Sequence, residues 1–378
     1  MIDMDSTSDN QSFDEIPEAT LLSHNESLRP IIGILLAITV VLAAGYLIAL
    51  VIEENPFGVR PTSEALEAQS VYQDLVQIDE VSGDGTGVKV CIVDSGIDTS
   101  HPDLSGMNLV AWQDFVGNQD TPYDDQGHGT SMAGILVGDG YIEGVAPNVE
   151  LVIAKALSEN GSGEDSIVAE AIDWCVDQGV QIISLSLGGA PGLIPFNPFS
   201  GRDSSDAASD AIDLGIVVIA AAGNDGGPDD DGDVAHPSSE RLVISVGGTT
   251  QTGEHWSGSS TGDNNGNLFP LILPRSEPHQ KPEIVAPAES VPVINNRGTW
   301  QLVDGTSAAT VYVTGAIALL LEQNPELGTN GGQASQDTVI QIKQAIMDTA
   351  KPTPTQDGHD DDYGYGMIQI ANLLDSFL

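Results

Sequence analysis

Apolar and polar positions divide the chain into three regimes. Residues 1–28 carry seven acids and no Lys or Arg, separated by Ser, Asn and Gln. That pattern cannot bury a core and predicts a disordered tail. Ile31 to Ile52 then runs for 22 residues without a charge. As a helix this stretch is about 33 Å long, enough to cross a hydrocarbon core of about 30 Å. A cleaved signal peptide competes with an anchor. Signal peptides have a basic leader and an apolar core of about 7–15 residues. Here the apolar run is longer and its leader acidic, so an uncleaved anchor is expected. Arg29 and Arg60 flank opposite sides, so flanking charge leaves the orientation open. Residues 53–67, with Pro56, Gly58 and Pro61, read as a linker.

Residues 68–378 alternate between two periods and are expected to form one domain. Short apolar runs rich in Val and Ile predict buried strands at Gly87 to Val93, Leu151 to Leu157, Val180 to Leu187, Ile216 to Ala222 and Leu242 to Val246. Helical spacing falls between them. Ile167, Val168, Ala171, Ile172, Cys175 and Val176 share one face of a helix over Ser166 to Gln178, which Gly179 stops. Thr338 to Ala350 repeats the pattern with Val339, Ile342 and Ile346. Alternating strands and helices predict an α/β fold, a doubly wound, mainly parallel sheet with helices on both faces.

Composition narrows the function. Lys and Arg total 11 and Asp and Glu 56, a net charge of −45. Nucleic-acid phosphates and anionic lipid headgroups are repelled by such a surface. Hydrophobic residues still make up 40% of the chain, so a core is available. Self-repulsion this strong implies a saline habitat, because molar salt shortens the Debye length to about 3 Å. Cys91 and Cys175 lie in apolar runs and are expected to be buried free thiols, with a disulfide or a metal site as the alternatives. No CxxC or HExxH occurs.

Four short motifs bear chemistry. Asp304-Gly305-Thr306-Ser307-Ala308-Ala309-Thr310 opens an apolar helical run from Val311 to Leu321. A serine hydroxyl in that first turn lies near unpaired N–H groups and the positive end of the helix dipole, which favours an oxyanion. Asp94 closes a strand in Val93-Asp94-Ser95-Gly96, and in a parallel sheet the strand ends line the ligand crevice. His128 begins a small-residue helix in Gly127-His128-Gly129-Thr130-Ser131. Asn224 follows a strand in Ala222-Gly223-Asn224-Asp225. Singly, each suits a cap or a turn. Together they supply an acid, a base, a nucleophile and an oxyanion donor.

In that order the motifs resemble the subtilisin-like serine proteases, the subtilases. The resemblance runs from about Gln69 to Asn372. It includes Gly144-Val145-Ala146-Pro147, Ser186-Leu187-Gly188-Gly189, Lys281-Pro282-Glu283-Ile284-Val285-Ala286-Pro287 and Tyr365-Gly366. It implies a serine endopeptidase with a subtilisin-like fold: Ser307 as nucleophile, His128 as general base and acid, Asp94 orienting the imidazole, and Asn224 with the Ser307 N–H holding the oxyanion. It also implies that Ser186, Leu187 and Gly188, with Gly161, Ser162 and Gly163, are edge strands clasping an extended polypeptide substrate. Ala220, Ala221 and Ala222 would wall an S1 pocket for large apolar residues. The nearby acids Asp229–Asp233 are the argument for a basic residue instead.

Departures from the family pattern are also legible. Ala308 stands where many members have Met, Val311 where Pro is usual and Tyr312 where His is common. Asp103 and Gln69 fall where calcium-dependent members supply ligands. The loop between His128 and Pro147 is short and lacks the extra turn that wraps the ion in those members, so no cofactor is expected, with calcium possible but unsupported. Only residues 53–67 separate the apolar segment from the catalytic domain, too few for a packed propeptide domain. Pro191 to Phe199 and Asn267 to Pro274 are apolar insertions. The expected protein is a single-pass, membrane-anchored protease whose catalytic domain faces outward, the side resting on family habit. Its oligomeric state is left open.

Overall fold

The structure is a computed structural model that describes residues 19–54, 60–189, 202–227, 232–268, 271–329 and 334–378. It contains two compact units, Met1–Pro56 and Phe57–Leu378.

Helix α1 (Ala19–Glu54) forms the first unit and carries Pro30 inside it. Its stretch Arg29–Ile48 has a mean hydropathy of 2.7 and is 0% buried. The helix begins upstream of Ile31, so residues 19–28 are not the disordered chain expected of them. Once the apolar run has nucleated a helix, each further residue adds a bond without a new nucleus.

The second unit begins with α2 (Ser63–Leu75), which takes the last residues expected to be linker. The Thr62 hydroxyl caps it by accepting the Ala65 N–H at 3.1 Å, and Ala65, Ala68 and Tyr72 pack inward. The cap and this weak stripe are the signals missed in the sequence.

Seven parallel strands follow: β1 (Lys89–Asp94), β2 (Asn108–Asp114), β3 (Glu150–Lys155), β4 (Ile182–Leu185), β5 (Val217–Ala221), β6 (Ile244–Thr249) and β7 (Ile284–Pro287). Their order is β2-β3-β1-β4-β5-β6-β7. The winding reverses between β1 and β4, and at such a switch point the strand ends diverge into a crevice. A separate antiparallel hairpin pairs β8 (Val291–Ile294) with β9 (Trp300–Val303).

Helices cover both faces of the sheet. On one lie α3 (His128–Val137) and α6 (Thr306–Gln323), the latter against β4, β5, β6 and β7. Every residue of α6 from Thr306 to Leu321 is buried, as expected of a helix apolar all round. On the other lie α4 (Asp165–Asp177) and α5 (Ser204–Asp213), packed together. Two further α-helices among the described residues are α7 (Gln336–Thr349) and α8 (Ile370–Asp375).

Cys91 and Cys175 are not free thiols. They form a disulfide joining β1 to α4, with Cα atoms 5.9 Å apart. Both are buried, as their apolar surroundings imply. What the sequence did not show is that Cys91 faces the inward side of α4, where Cys175 sits. The bridge closes a sequence separation of 84 residues, which in the loop-entropy account stabilises the fold by about 4–5 kcal/mol. Thiol titration of protein denatured without reductant should find no free thiol, and after reduction both cysteines. Full reactivity before reduction would refute the bridge.

Candidate active site

The site lies at the switch point. Asp94 ends β1 and is 0% exposed. Its carboxylate accepts the Ser95 N–H at 2.6 Å, and both its oxygens lie 2.9 Å from His128 Nδ1. The imidazole is the first residue of α3 and keeps 31% of its side chain exposed. Gly129 permits this approach. A Cβ there would fall 2.2 Å from the Gly96 carbonyl oxygen and 3.2 Å from the Asp94 Cβ.

Asp124 fixes the entry to α3. Its carboxylate accepts the N–H groups of Gln126, Gly127 and Thr130 and the hydroxyls of Ser95 and Thr130, at 2.6–3.1 Å. Burial alone would raise the Asp124 pKa. The Thr130 hydroxyl, the Gly127 and Thr130 amides and the Ser95 hydroxyl outweigh it, so the carboxyl stays below its ordinary value. Lys155 completes the support. Its buried ammonium donates to the Ser95 and Leu157 carbonyls at 2.5 and 2.9 Å and to Asp125 at 2.7 Å. No local sequence pattern marks Asp124 or Lys155. The bond pattern that marks them exists only once β1, β3 and α3 meet.

Ser307 is the second residue of α6 and is 8% exposed. Its hydroxyl donates to the Ser186 carbonyl at 3.0 Å, and the Ser186 hydroxyl donates back to the Ser307 carbonyl at 3.0 Å. Asn224 follows β5 across the same opening. Its Oδ1 accepts both the N–H and the hydroxyl of Thr306, each at 2.9 Å. That fixes the amide plane and leaves Nδ2 as the donor available to a ligand. Thr306, to which no local pattern gives a role, is therefore the positioner of Asn224.

Two lobes of one cleft meet at His128, Asn224 and Ser307. The larger has a volume of about 920 Å³ and is lined by Gly161, Ser162, Gly163, Ser186, Leu187, Gly188 and Ala221 among others. Ala220 and Ala222 are fully buried and do not line it. Side chains alternate along β5, so only the middle alanine of the three faces the lobe. Neither Gly161–Gly163 nor Ser186–Gly188 is itself a strand: the first begins in a turn with φ 77° at Gly161, and the second extends β4. The smaller lobe, about 390 Å³, is walled by Asn296, Gln301, Val303 and Asp304 on the β8–β9 side. Asp233, the described residue at the end of the acidic run, is bound by Arg275 through two bonds of 2.7 Å. Asp229–Asp231 and the insertion at 191–199 lie outside the described residues. In the second insertion Ile272 is buried, while Leu268 and Leu273 are exposed.

The positions that could recruit calcium do not fit it. A calcium ion takes about six to eight oxygen ligands. Asp103 Oδ2 instead accepts the Ile142 N–H at 2.9 Å and the Trp300 indole N–H at 2.7 Å. Gln69 Oε1 accepts the Glu143 N–H at 3.0 Å. Among the described residues no group of three or more His, Cys, Asp or Glu could hold a metal ion.

A buried acid oriented on an imidazole, a serine at a helix N-terminus and a fixed amide are the equipment of acyl transfer. Comparison with known proteins agrees. Residues 85–366 match the Subtilase family, peptidase S8, and the chain belongs to that family. It is 31% identical to subtilisin E of Bacillus subtilis over 290 residues, 76% of this chain and 65% of that protein. Subtilisin DY of Bacillus licheniformis is 32% identical over 302 residues, 78% of this chain and 95% of that one. A cold-adapted subtilisin-like serine proteinase of known structure aligns with TM-score 0.59 and 26% identity, covering 76% of this chain and 90% of its own.

Burial opposes protonation of His128, but the charge and hydrogen bond of Asp94, with the charge of Asp124, prevail and raise its pKa above 6.5. A raised pKa keeps the ring protonated, and unable to act as a base, to a higher pH than a free histidine. NMR titration of the His128 ring, assigned by its loss in His128→Ala, should give a midpoint above 6.5. A midpoint at or below that value would contradict the dominance of Asp94.

Proposed function

We propose that the chain is a serine endopeptidase that cleaves polypeptides through an acyl-enzyme. The observation that carries this reading is the buried Asp94 carboxylate held on His128 at the mouth shared by Ser307 and Asn224. His128 takes the Ser307 proton as the oxygen attacks the scissile carbonyl, then delivers it to the leaving amine. Asp94 holds the tautomer with Nδ1 protonated and stabilises the imidazolium. Asn224 Nδ2 and the Ser307 N–H receive the oxyanion. For the attack, the Ser307 hydroxyl turns from the Ser186 carbonyl to the imidazole. That carbonyl is then free to accept a substrate N–H, which couples substrate binding to release of the nucleophile.

Ser186–Gly188 and Gly161–Gly163 take the extended substrate upstream of the scissile bond. Gly188, Ala221 and Gly223 carry little or no side chain and leave room for a large residue, while Asp165, Asp203, Asp206 and Glu240 line the same lobe and would suit a basic end on it. Arg275 neutralises Asp233, which weakens the case for a basic preference drawn from the acidic run.

The same reading makes α1 a single-pass anchor with the catalytic unit outside the cell. Its support is the exposed apolar stretch Arg29–Ile48, together with a disulfide, a bond that persists in oxidising compartments. The excess of acids suits a saline habitat. A cysteine placed at exposed Asp357 should react with an impermeant maleimide in intact cells. Reaction only after lysis would reverse the orientation.

The deciding comparison is wild type against Ser307→Ala in molar KCl, with a fluorophosphonate probe and a casein substrate. Wild type should label and cleave, and the variant should lose about 10⁶ in kcat. Activity should rise from dilute buffer to molar KCl; a fall would refute the saline assignment. A folded wild type that neither labels nor cleaves would overturn the protease reading.

A further inference from the structure

The residues at the calcium positions are engaged in something else. Asp103 is 2% exposed, and its Oδ2 is shared by the Ile142 N–H and the Trp300 indole. The Asp103 carbonyl accepts the Asp139 N–H at 2.9 Å. Gln69 grips the far side of the same loop, accepting the Glu143 N–H at 3.0 Å and donating to the Tyr141 carbonyl at 3.3 Å. The Trp300 ring is held edge-on by His101 and Tyr141, with centroids 5.2 and 5.5 Å away. Loop 139–143 is thus closed by N–H donors converging on the oxygens that a cation would need. An N–H pointed at a carboxylate oxygen occupies its lone pair and repels an incoming cation.

Trp300 opens β9, whose Gln301 and Val303 wall the smaller lobe, and Asp304 and Gly305 lead from there to Ser307. The Thr299 carbonyl is also held, 3.2 Å from His101 Nε2. The Asp103–Trp300 bond therefore fixes the start of the segment that walls the smaller lobe, which lies across Ser307 from the lobe proposed for the upstream substrate and so would take the leaving-group side.

We propose that Asp103, Gln69 and Trp300 form a metal-free clasp in place of a structural calcium site. The fold holds loop 139–143 without calcium, and Trp300 is a positioning residue for the leaving-group wall. The clasp part does not depend on the protease reading, because it can be measured on an inactive chain. The positioning part rests on that reading.

The test uses the full chain carrying Ser307→Ala, in mild detergent and molar KCl. Its melting temperature in calcium chloride and in EGTA should agree within about 1 °C. A rise of several degrees with calcium would overturn the proposal. Adding Trp300→Phe keeps an aromatic ring and removes the indole donor. Losing a hydrogen bond to a buried carboxylate should lower the melting temperature by about 3–6 °C, with no recovery in calcium. An unchanged melt, or a melt restored by calcium, would refute the clasp. In the active chain, Trp300→Phe should raise KM for peptides extended beyond the scissile bond. Peptides ending in a chromogenic amide should keep their KM. An equal change for both would refute the positioning role. If wild type proves inactive, the protease reading fails while the melting comparison still decides the clasp.

Discussion

The contact between Asp94 and His128 constrains the rest of the domain. A carboxylate with no exposure is tolerable only if its oxygens are satisfied, and here an imidazole and one backbone amide do so. To bring them together, β1 must end where α3 begins. β1 lies inside the sheet between β3 and β4, and Gly129 lets α3 cross close over the Gly96 carbonyl. Burial of the acid sets the chemistry as well. A solvated carboxylate would hold the imidazole loosely and shift its pKa less.

The support behind this pair is layered. Asp124 binds five donors around the α3 entry and, through Ser95, reaches the turn after β1. Lys155 lies beneath the same turn, and its backbone pairs in register with Asp94 across β1 and β3. The other half of the site hangs on α6, whose first turn holds Ser307 and, through Thr306, Asn224. Because α6 packs on β4 to β7 on one side and on α3 and α8 on others, its N-terminus cannot drift relative to the strands that Ser186 and Asn224 follow. Ser307 and His128 therefore sit on rigid elements of different origin, each positioned by its own contacts, and the cleft forms where they meet.

Much of this was legible in the sequence, for identifiable reasons. β1, β3, β4, β5 and β6 are buried on both faces, so they read as continuous apolar runs. The stripes of α4 and α7 are regular. Asp94, His128, Asn224 and Ser307 fall at strand ends and helix starts, where local sequence announces a turn. What escaped depends on tertiary context. β2 is half exposed and mixes polar with apolar residues. α5 reads as Ser, Asp and Ala, with Ile212 its single large apolar residue, and buries small residues against α4. The disulfide needed the facing of β1 toward α4. The roles of Asp124, Thr306 and Trp300 are made of bonds between segments far apart in sequence, which no local pattern encodes.

The placement of the few cations explains how so acidic a chain holds a core. Lys155, Lys281 and Lys343 are essentially buried, and Arg275 keeps 15% of its side chain exposed. All are paired: Lys155 with Asp125, Arg275 with Asp233, and both Lys281 and Lys343 with buried Glu283. Burial alone would raise the Glu283 pKa, but Lys281, Lys343 and the Ser245 amide overcome it and hold the carboxyl below its ordinary value. Salt acts differently on the two populations. Mobile ions screen repulsion among exposed carboxylates but do not reach ion pairs in the interior. Rising salt therefore removes the unfavourable exposed term and leaves the favourable buried one intact. With 11 cations against 56 acids, several of those cations sit inside, where salt weakens their pairs much less than it screens the exposed acids.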